Sequence, residues 1–303
     1  MAEHTRVDEF LTSLLAICKP LESFDMPLLD AHGATLSEDI FAGERLVMRS
    51  GSRIRSTQIG LAASIGLDHL PTRPHPRVVV VSAGPGLVEP GIALQGDEEY
   101  ETNSWLLTTA VREVGAVAYR VHSIPDDEDE LLSVIEDQLV RADLIIISGE
   151  RQDDSFDLIT RALSRMGEIT TVDLAIEMSG RHNYGVIGPD KTPVVTLPGD
   201  PIAAYISFEL FVRPMIRTML GAATIHRPSI KATLEKNIES APGLRSYIRA
   251  ALSEDGNSVV PLSAQEEFST LSDATAFIAV SETEEHLKAG DQVTVVILER
   301  RYI

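Results

Sequence analysis

Cysteine is almost absent from this chain, which has Cys18 and no other cysteine among its 303 residues. A single cysteine excludes an intramolecular disulfide framework and is typical of a protein in a reducing compartment. Cys18 lies in an apolar stretch with no histidine near it in the sequence. We therefore interpret it as a buried core thiol and not as a nucleophile.

Long apolar runs are also missing, since none approaches the roughly 20 residues that a helix needs to cross a bilayer. The first residues, MAEHTRVDEF, lack the charged-then-apolar order of a secretion signal. From these two absences we expect a cytoplasmic protein that does not insert into a membrane.

Basic residues are scarce, with 26 Lys and Arg against 46 Asp and Glu and a formal net charge of −20. This balance argues against a nucleic-acid partner and against anionic membranes. The 8 histidines show no metal-ligand spacing, and no Ser/His/Asp signature stands out. With 44% hydrophobic and 24% charged residues, the composition is that of a globular protein of two or three domains. The one tryptophan, Trp105, is interpreted as a core residue.

The most informative stretch is TPVVTLPGDPIAAYISFELFVRP, which predicts a strand, a tight turn and a helix. Val194–Leu197 is a β-branched run, and Pro198-Gly199 is a turn pair. Asp200 fits an N-cap and Pro201 the first helical position, and the helix is apolar on nearly every face. One interpretation is an ordinary buried strand-to-helix connection. The other is an anion site at the helix N-terminus.

Strand and helix patterns alternate through residues 77–221. This alternation is typical of a mainly parallel sheet with helices on both faces, which binds ligands at the C-terminal ends of its strands. The pattern 185–197 also predicts a hairpin around Pro189-Asp190-Lys191. The predicted elements are strands Val78–Ser82, Ala116–Val121, Asp143–Ser148 and Thr192–Leu197, and helices Asn103–Val114, Asp127–Val140, Ser155–Arg165 and the one beginning at Pro201.

Two further parts flank this region. Residues 1–70 begin with an amphipathic helix whose start is predicted at Thr5 and Asp8 by a capping-box-like spacing. The stiff stretch PTRPHP then leads into residue 77. Residues 228–303 contain only short strand patterns with polar joins, which predict a small all-β domain.

The informative stretch also carries a family resemblance. LPGDPIAA closely resembles the LPGNP(V/A)S(A/S) element of MoeA, the bacterial molybdopterin molybdenumtransferase, and of the gephyrin E domain. FELFVRPMIRTMLG resembles the helix that follows there, and RVDEFLTSLLAICKPLESFDMPLLDAHGATLSEDI resembles the family's first domain. The resemblance implies an α/β fold: a three-layer α/β/α molybdopterin-binding-like domain at 77–221, an N-terminal helical and extended segment, and a small all-β C-terminal domain. It also implies a homodimer.

The largest departure from the family lies after Ile40, where the family chain leaves to build a small β lid domain. Its opening motif, of the type Pro-Phe-x-x-Ser-x-Met-Asp-Gly-Tyr-Ala, is absent. Only Phe41–Ser50 separates Ile40 from Gly51, and at about 3.3–3.6 Å per residue this length is a connector. We predict that the lid is missing between about 40 and 51, as a natural or an engineered loss.

The loops after the strands also differ from the family's motifs. The family's Ser-Thr-Gly-Asp-Glu-Leu is here SAGPGL, so Pro85-Gly86 replaces an acidic pair and removes an N–H that could hold an anion. In YETN, which matches the family's Tyr-Asp-Ser-Asn, Asn103 fits a helix cap better than a ligand contact. The family's Met-Lys-Pro-Gly-Lys-Pro is aligned with IEMSGRH, where Glu177 reverses the charge of the first Lys. The second Lys is Gly180 here. Arg181 next to it is a candidate substitute, but Lys and Arg are not interchangeable at a shaped anion site.

The third loop reads SGERQDDSFD where the family has Ser-Gly-Gly-x-Ser-x-Gly-x-x-Asp. Ser148, Gly149 and Asp157 remain, but Glu150 and the pair Asp153-Asp154 bring carboxylates that repel phosphate. The pair also fits the start of a helix, which is the favoured interpretation. The resemblance thus leaves Asp157 as a remnant of a catalytic position and implies no metal ligand with confidence. The remnants of ligand-binding positions are Ser82, Gly84, Asn103, Ser148, Gly149, Pro198, Gly199 and Asp200.

Two functions from different classes follow. The first is a dimeric, non-catalytic scaffold with an eroded site, similar to gephyrin, which binds a partner peptide near Phe10 and Leu11 and prefers Lys or Arg in it. The alternative is a molybdopterin molybdenumtransferase, which inserts molybdate into adenylated molybdopterin with Mg²⁺ and releases AMP. The sequence favours the scaffold, because the substrates are anions and the loops have gained acidic residues.

Overall fold

The structure is a computed structural model that describes residues 4–84, 86–124, 127–149, 153–178, 180–263 and 268–299. Helix α1 (Val7–Ala16) follows Arg6, whose side chain makes no capping bond. Thr5 instead forms a β-bridge with Leu174, with its N–H donating to Asp173 O at 2.8 Å. The predicted capping role of Thr5 is therefore wrong, because its backbone is already paired with the central part of the chain.

The rest of the N-terminal part is a small layer with its own apolar core. Strands β1, β5 and β2 pair antiparallel in that order, and β3 and β4 form a hairpin in the place where we predicted only a connector. That the family's lid has been lost there stays a prediction. The elements are β1 (Phe24–Pro27), β2 (Thr35–Leu36), β3 (Ile40–Ala42), β4 (Arg45–Met48), α2 (Ser56–Ser64) and β5 (His69–Arg73).

Residues 77–219 form the central part. The chain runs in the order β6 (Arg77–Ala83), β7 (Leu87–Val88), β8 (Glu99–Tyr100), α3 (Asn103–Val114), β9 (Val117–Ile124), α4 (Glu128–Leu139), β10 (Leu144–Gly149), α5 (Asp153–Met166), β11 (Gly167–Asp173), β12 (Arg181–Ile187), β13 (Thr192–Leu197), α6 (Pro201–Ser207), a π-helical turn (Phe208–Val212) and α7 (Arg213–Met219).

These strands build a six-stranded sheet in the order β11-β12-β13-β10-β6-β9. Strands β9, β6, β10 and β13 are parallel, and β12 and β11 continue antiparallel. Val78 and Val80 pack on the face covered by α1, α3, α6 and α7, whereas Val79 and Val81 pack on the face covered by α4 and α5. The predicted three-layer α/β/α domain is confirmed.

The hairpin of β12 and β13 is also confirmed, but strand β11 was not predicted. It extends the sheet by pairing along β12, and the two strands approach closely at Gly185. A Cβ on Gly185 would lie 1.9 Å from Glu168 O. This close approach of the two backbones requires glycine at position 185.

The helix after β13 begins as predicted. The Asp200 carboxylate accepts bonds from the N–H groups of Ile202 at 2.9 Å and Ala203 at 3.0 Å. The helix widens into a π-helical turn, where the Arg213 N–H donates to Phe208 O. Pro214 follows in α7, and because it has no N–H, the regular bond to Leu210 cannot form there.

The C-terminal part is a closed barrel in the strand order β14-β17-β16-β18-β20, which confirms the small all-β domain. It joins the central part through Arg245, whose N–H donates to Ala175 O and whose carbonyl accepts from Glu177 N, both at 2.9 Å. The elements are β14 (Ser229–Leu234), β15 (Ile238–Glu239), β16 (Ser246–Leu252), β17 (Ser258–Pro261), α8 (Ser269–Asp273), β18 (Ala276–Val280), β19 (His286–Leu287) and β20 (Gln292–Ile297).

Candidate functional site

Three neighbouring parallel strands end side by side, and the residues that follow them line a cavity of about 570 Å³. In the sheet register Ser148 stands beside Ser82 on one side and Leu197 on the other. Ser82, Gly149 and Gly199 line the cavity from the strand ends, and residues 97–102 form a second wall. We call this space the strand-end cavity. A volume of this size suits a small-molecule ligand.

Asn103 holds the loops of the strand-end cavity together. It is only 6% exposed, and its Nδ2 donates to Ser148 Oγ and to Gly199 O, both at 2.8 Å. Ser148 Oγ in turn donates to Pro198 O at 3.1 Å. The interpretation of Asn103 as a helix cap is wrong, because the N-cap is Thr102 and the Asn103 side chain points to the sheet loops.

Two buried polar atoms at this cavity have no hydrogen-bond partner within the described ranges. They are Ser82 Oγ, on a residue that is 1% exposed, and Asn103 Oδ1. Buried polar atoms in folded proteins are almost always paired. Both residues line the cavity, so its wall contains one hydroxyl and one amide oxygen that are unpaired in the described protein.

The opposite wall of the cavity is acidic. Asp97, Glu98 and Glu99 line it, and the part of the lining that the structure describes contains no Lys or Arg. This arrangement disfavours an anion close to that wall.

Arg120 fixes the acidic wall to the helix layer. Its guanidinium bonds to Glu89, and Nη2 lies 3.2 Å from Oε2 of Glu101, which is 1% exposed. Its Cζ also lies 4.2 Å from the ring centroid of Trp105. Trp105 is 50% exposed, so its interpretation as a core residue is wrong. The ring covers the ion pairs on the outside.

A basic residue near the strand ends was missed in the sequence. Arg249 on β16 is 8% exposed and donates to Thr270. Burial lowers the pKa of Arg249, and the Asp200 carboxylate acts in the opposite direction. The barrel therefore places a buried cation within electrostatic range of Asp200 in the LPGDP loop. The signal was a lone Arg inside the apolar strand YIRAAL.

Comparisons with known proteins agree with this geometry. Residues 80–218 match the family model described as a probable molybdopterin binding domain, and residues 231–298 match the MoeA C-terminal region (domain IV). Molybdopterin molybdenumtransferase 2 of Mycobacterium tuberculosis (strain ATCC 25618 / H37Rv) is 33% identical over 270 residues, which cover 87% of this chain and 66% of that protein. The chain belongs to the MoeA family.

Other relatives and solved structures extend the likeness. Molybdopterin molybdenumtransferase of Haemophilus influenzae is 24% identical over 277 residues, covering 89% of this chain and 68% of that protein. The fold matches the crystal structure of the molybdopterin biosynthesis MoeA protein from Pyrococcus horikosii with a TM-score of 0.83 and 20% identity, over 98% of this chain and 100% of that one. This MoeA-family chain spans about two thirds of the length of the M. tuberculosis relatives. The comparisons support the transferase alternative better than the scaffold, and they give no support to a gephyrin-like role.

The remaining sequence-predicted site residues are not among those that line the strand-end cavity. Gly84 is buried just after β6. Asp157 is exposed on α5, where its Oδ1 lies 3.2 Å from Arg181 Nη1. The charge-reversing Glu177 accepts a bond from Ser246 Oγ at 2.5 Å, at the junction with the barrel. Pro85 and Glu150 lie outside the described residues, so nothing follows for them from the structure.

Phe10 and Leu11, predicted as partner contacts, differ in their surroundings. Phe10 is 1% exposed and packs on Phe211, with 4.8 Å between ring centroids. A peptide cannot reach it in this structure, so Phe10 is corrected to a core residue. Leu11 is half-buried on α1, and its role in binding stays a prediction.

The single cysteine, Cys18, is not placed to react. Cys18 is buried, and burial raises the pKa of its thiol to about 12, which fits the predicted core role. In the part of the chain with assigned positions there is no group of three or more His, Cys, Asp or Glu that could hold a metal ion. No helix of the described chain is long and apolar enough to cross a bilayer.

Proposed function

We propose that this protein binds molybdopterin in the strand-end cavity and acts as a molybdopterin molybdenumtransferase in molybdenum cofactor biosynthesis. The observation that carries the proposal is the pair of buried, unpartnered atoms, Ser82 Oγ and Asn103 Oδ1, at the C-terminal edge of a parallel sheet. This edge is where open α/β sheets bind their ligands. The relatives named as molybdenumtransferases support the reaction class.

The two free atoms suit a pterin ring. A pterin presents N–H donors and carbonyl or ring-nitrogen acceptors along its edge, and Asn103 Oδ1 accepts whereas the Ser82 hydroxyl can donate or accept. Asn103 cannot turn away from the ligand without leaving Ser148 and Gly199. Its acceptor is therefore held in place before the ligand arrives, which reduces the entropy lost on binding.

The phosphate and molybdate need a positive group, and Arg249, on which the charge of Asp200 in the LPGDP loop acts, is a candidate for it. A guanidinium can bind oxyanions through two parallel N–H donors. Asp200 offsets part of its charge. We therefore propose that anions approach from the side of the barrel, away from Asp97, Glu98 and Glu99.

The acidic wall favours a second candidate, a non-catalytic dimeric scaffold. A phosphorylated ligand meets three carboxylates along one wall and no described Lys or Arg in the lining, which weakens its binding. In this proposal a second copy of the chain contacts Arg6–Ile40. A basic peptide docks beside Leu11, where Asp8 joins α1 to Arg245 at 2.8 Å.

Binding and turnover of the purified full chain separate the two candidates. Calorimetric titration with molybdopterin and its adenylate measures affinity, and molybdate-dependent AMP release measures transfer. Pterin binding with AMP release supports the transferase. Pterin binding without AMP release supports the non-catalytic scaffold. Absence of binding by either pterin overturns the proposal.

Ser82→Ala is the sharpest variant, because Ser82 Oγ has no partner in the described protein to lose. We expect about tenfold weaker pterin binding, as for one lost hydrogen bond, with unchanged stability. Ser37→Ala is the matched control, since Ser37 Oγ is also buried and unpartnered but Ser37 does not line the cavity. Equal affinity in the two variants would place the ligand elsewhere.

A further inference from the structure

A second cavity lies between α3, the helix α6–α7 and the barrel, and the proposed transferase activity does not use it. Its volume is about 610 Å³. Arg213, Arg227 and Tyr205 line its polar end, and Leu106, Phe268 and Leu271 line its apolar part. We call it the interlayer cavity.

The polar end holds two guanidiniums and one fully buried carboxylate. The Arg227 guanidinium donates to both carboxylate oxygens of Glu209, from Nε and from Nη2, each at 2.7 Å. Its Nη1 donates to Leu298 O at 2.6 Å. Glu209 is 5% exposed. The Glu209 carboxylate is therefore hydrogen-bonded to Arg227, and each of the three guanidinium nitrogens of Arg227 already donates a hydrogen bond.

Arg213 has no such partner. Its Nε lies 3.8 Å from Glu209 Oε2, too far for a hydrogen bond, and this nitrogen is buried without a partner among the described residues. Arg213, Arg227 and Glu209 together carry one excess positive charge. Burial and the charge of Arg227 lower the pKa of Arg213, which is the expected response to an uncompensated charge.

Two carboxylates limit what can bind. Glu113 and Glu299 also line the cavity, and both residues are exposed. Neither is among the groups that act on the pKa of Arg213. Glu113 acts instead on the pKa of Arg227 and of Tyr205. Both carboxylates repel a second negative charge on a ligand, which disfavours phosphate dianions.

We propose that the interlayer cavity is a binding site for a small monoanion with an apolar body, such as a hydrophobic carboxylate. The ligand's carboxylate would pair with the Arg213 guanidinium, and its apolar part would cover Leu106, Phe268 and Leu271. Such a ligand would give Arg213 a carboxylate at hydrogen-bond distance and remove apolar surface from water. Because the site contacts both α3 and the barrel, its occupation would hold these layers together.

The test uses the full chain and 3-phenylpropionate as the probe, with 3-phenylpropanamide and inorganic phosphate as comparisons, measured by calorimetry. We expect the acid to bind and the amide and phosphate to bind about tenfold more weakly or not at all. An amide that binds as well as the acid, or an acid that does not bind at millimolar concentration, overturns the proposal.

Arg213→Met keeps the length of the side chain and removes its charge. We expect it to weaken binding of the acid about tenfold, and Arg217→Met is its control, because Arg217 lies on the same helix but outside the cavity lining. If Arg213→Met does not fold, Thr109→Trp fills the cavity from an exposed helix position and should abolish binding. Unchanged binding in the folded variant that is tested contradicts the proposal.

Ser82→Ala separates this site from the strand-end cavity. It should leave the affinity for 3-phenylpropionate unchanged, whereas loss of that affinity would place the probe in the strand-end cavity and overturn the present proposal. Failure of pterin binding leaves the expected carboxylate results untouched, so the two proposals stand or fall separately.

Discussion

Asn103 donates one amide hydrogen to Ser148 Oγ and the other to Gly199 O, each across 2.8 Å. One side chain thereby joins the start of α3 to the end of β10 and to the loop after β13. Its remaining oxygen is buried without a partner in the described part of the protein, and Asn103 lines the strand-end cavity. The same residue thus organises the loops and offers a contact to a ligand, and the two roles can be measured separately.

Asn103→Ala should lower the free energy of unfolding by about 1–3 kcal/mol, because Ser148 and Gly199 lose a buried donor. Ser148→Ala should cost less, since Asn103 keeps its bond to Gly199. A double-mutant cycle by urea denaturation should show coupling between the two residues of at least about 0.5 kcal/mol. Additive effects would mean that the bond does not stabilise the fold.

Arg120→Met should loosen the acidic wall, since Glu101 is almost fully buried and loses its cation. We expect a loss of about 2–3 kcal/mol in the free energy of unfolding, below the range for fully buried pairs because Arg120 is 21% exposed. Trp105 is the only tryptophan, so its emission should report the loss of the stacked guanidinium. Arg112→Met, at an exposed position of α3, is the control. Identical emission spectra for both variants would contradict the contact.

His182 should make stability depend on pH. It is completely buried, and burial lowers its pKa from 6.5 to about 4, although the Thr196 carbonyl and the charge of Asp173 oppose the shift. Between these values the unfolded chain binds a proton that the folded chain does not, so stability falls as the pH is lowered from about 6.5 to 4. The loss should reach about 3 kcal/mol.

Denaturation at pH 7 and pH 4.5 tests this dependence. His182→Gln should flatten the part of the pH profile that His182 causes, whereas His69→Gln should not, because the His69 side chain is 47% exposed. Equal slopes in the wild type and in His182→Gln would show that other groups govern acid stability.

The partner-peptide hypothesis needs a different variant from the one that the sequence suggested. Phe10→Ala should destabilise the protein by about 3–5 kcal/mol, because it removes a buried ring from the main core. Leu11→Ala, at a half-buried position, should change stability less and is the informative variant for binding of a basic peptide. Loss of peptide binding in Leu11→Ala with an unchanged melting temperature would support the groove, and unchanged binding would contradict it.

Local sequence patterns predicted those helices and strands whose formation depends only on their own residues. The LPGDP stretch contains its own strand, turn, cap and helix start, and each is present with Asp200 as the cap. Strand β11 was missed because GEITTVD becomes a strand only beside β12, where Gly185 permits the close approach. Pairing partners of this kind are not visible in a local pattern.

The candidate site was harder to predict, because its contacts join distant segments. Asn103 has the residue type and position of a cap, and only the fold brings Gly199 O within its reach. Arg249 was overlooked since nothing local distinguishes it from other strand residues, yet the barrel places it near Asp200. Glu177 was weighed as a reversed charge in the site, whereas its carboxylate bonds to the barrel.

Glu177→Lys tests that last point. The carboxylate accepts a bond from Ser246 Oγ and does not line the strand-end cavity, so a charge change there is distant from the proposed pterin. We expect pterin affinity to stay within about twofold of the wild type, and stability to fall by about 0.5–1.5 kcal/mol through the lost hydrogen bond. Glu177→Gln is the matched control, because it removes the charge but keeps an acceptor for Ser246. If Glu177→Lys strengthens binding of the adenylated pterin about tenfold or more while Glu177→Gln does not, then this position reaches the substrate. In that case the charge reversal, and not the acidic wall, limits the activity of the chain.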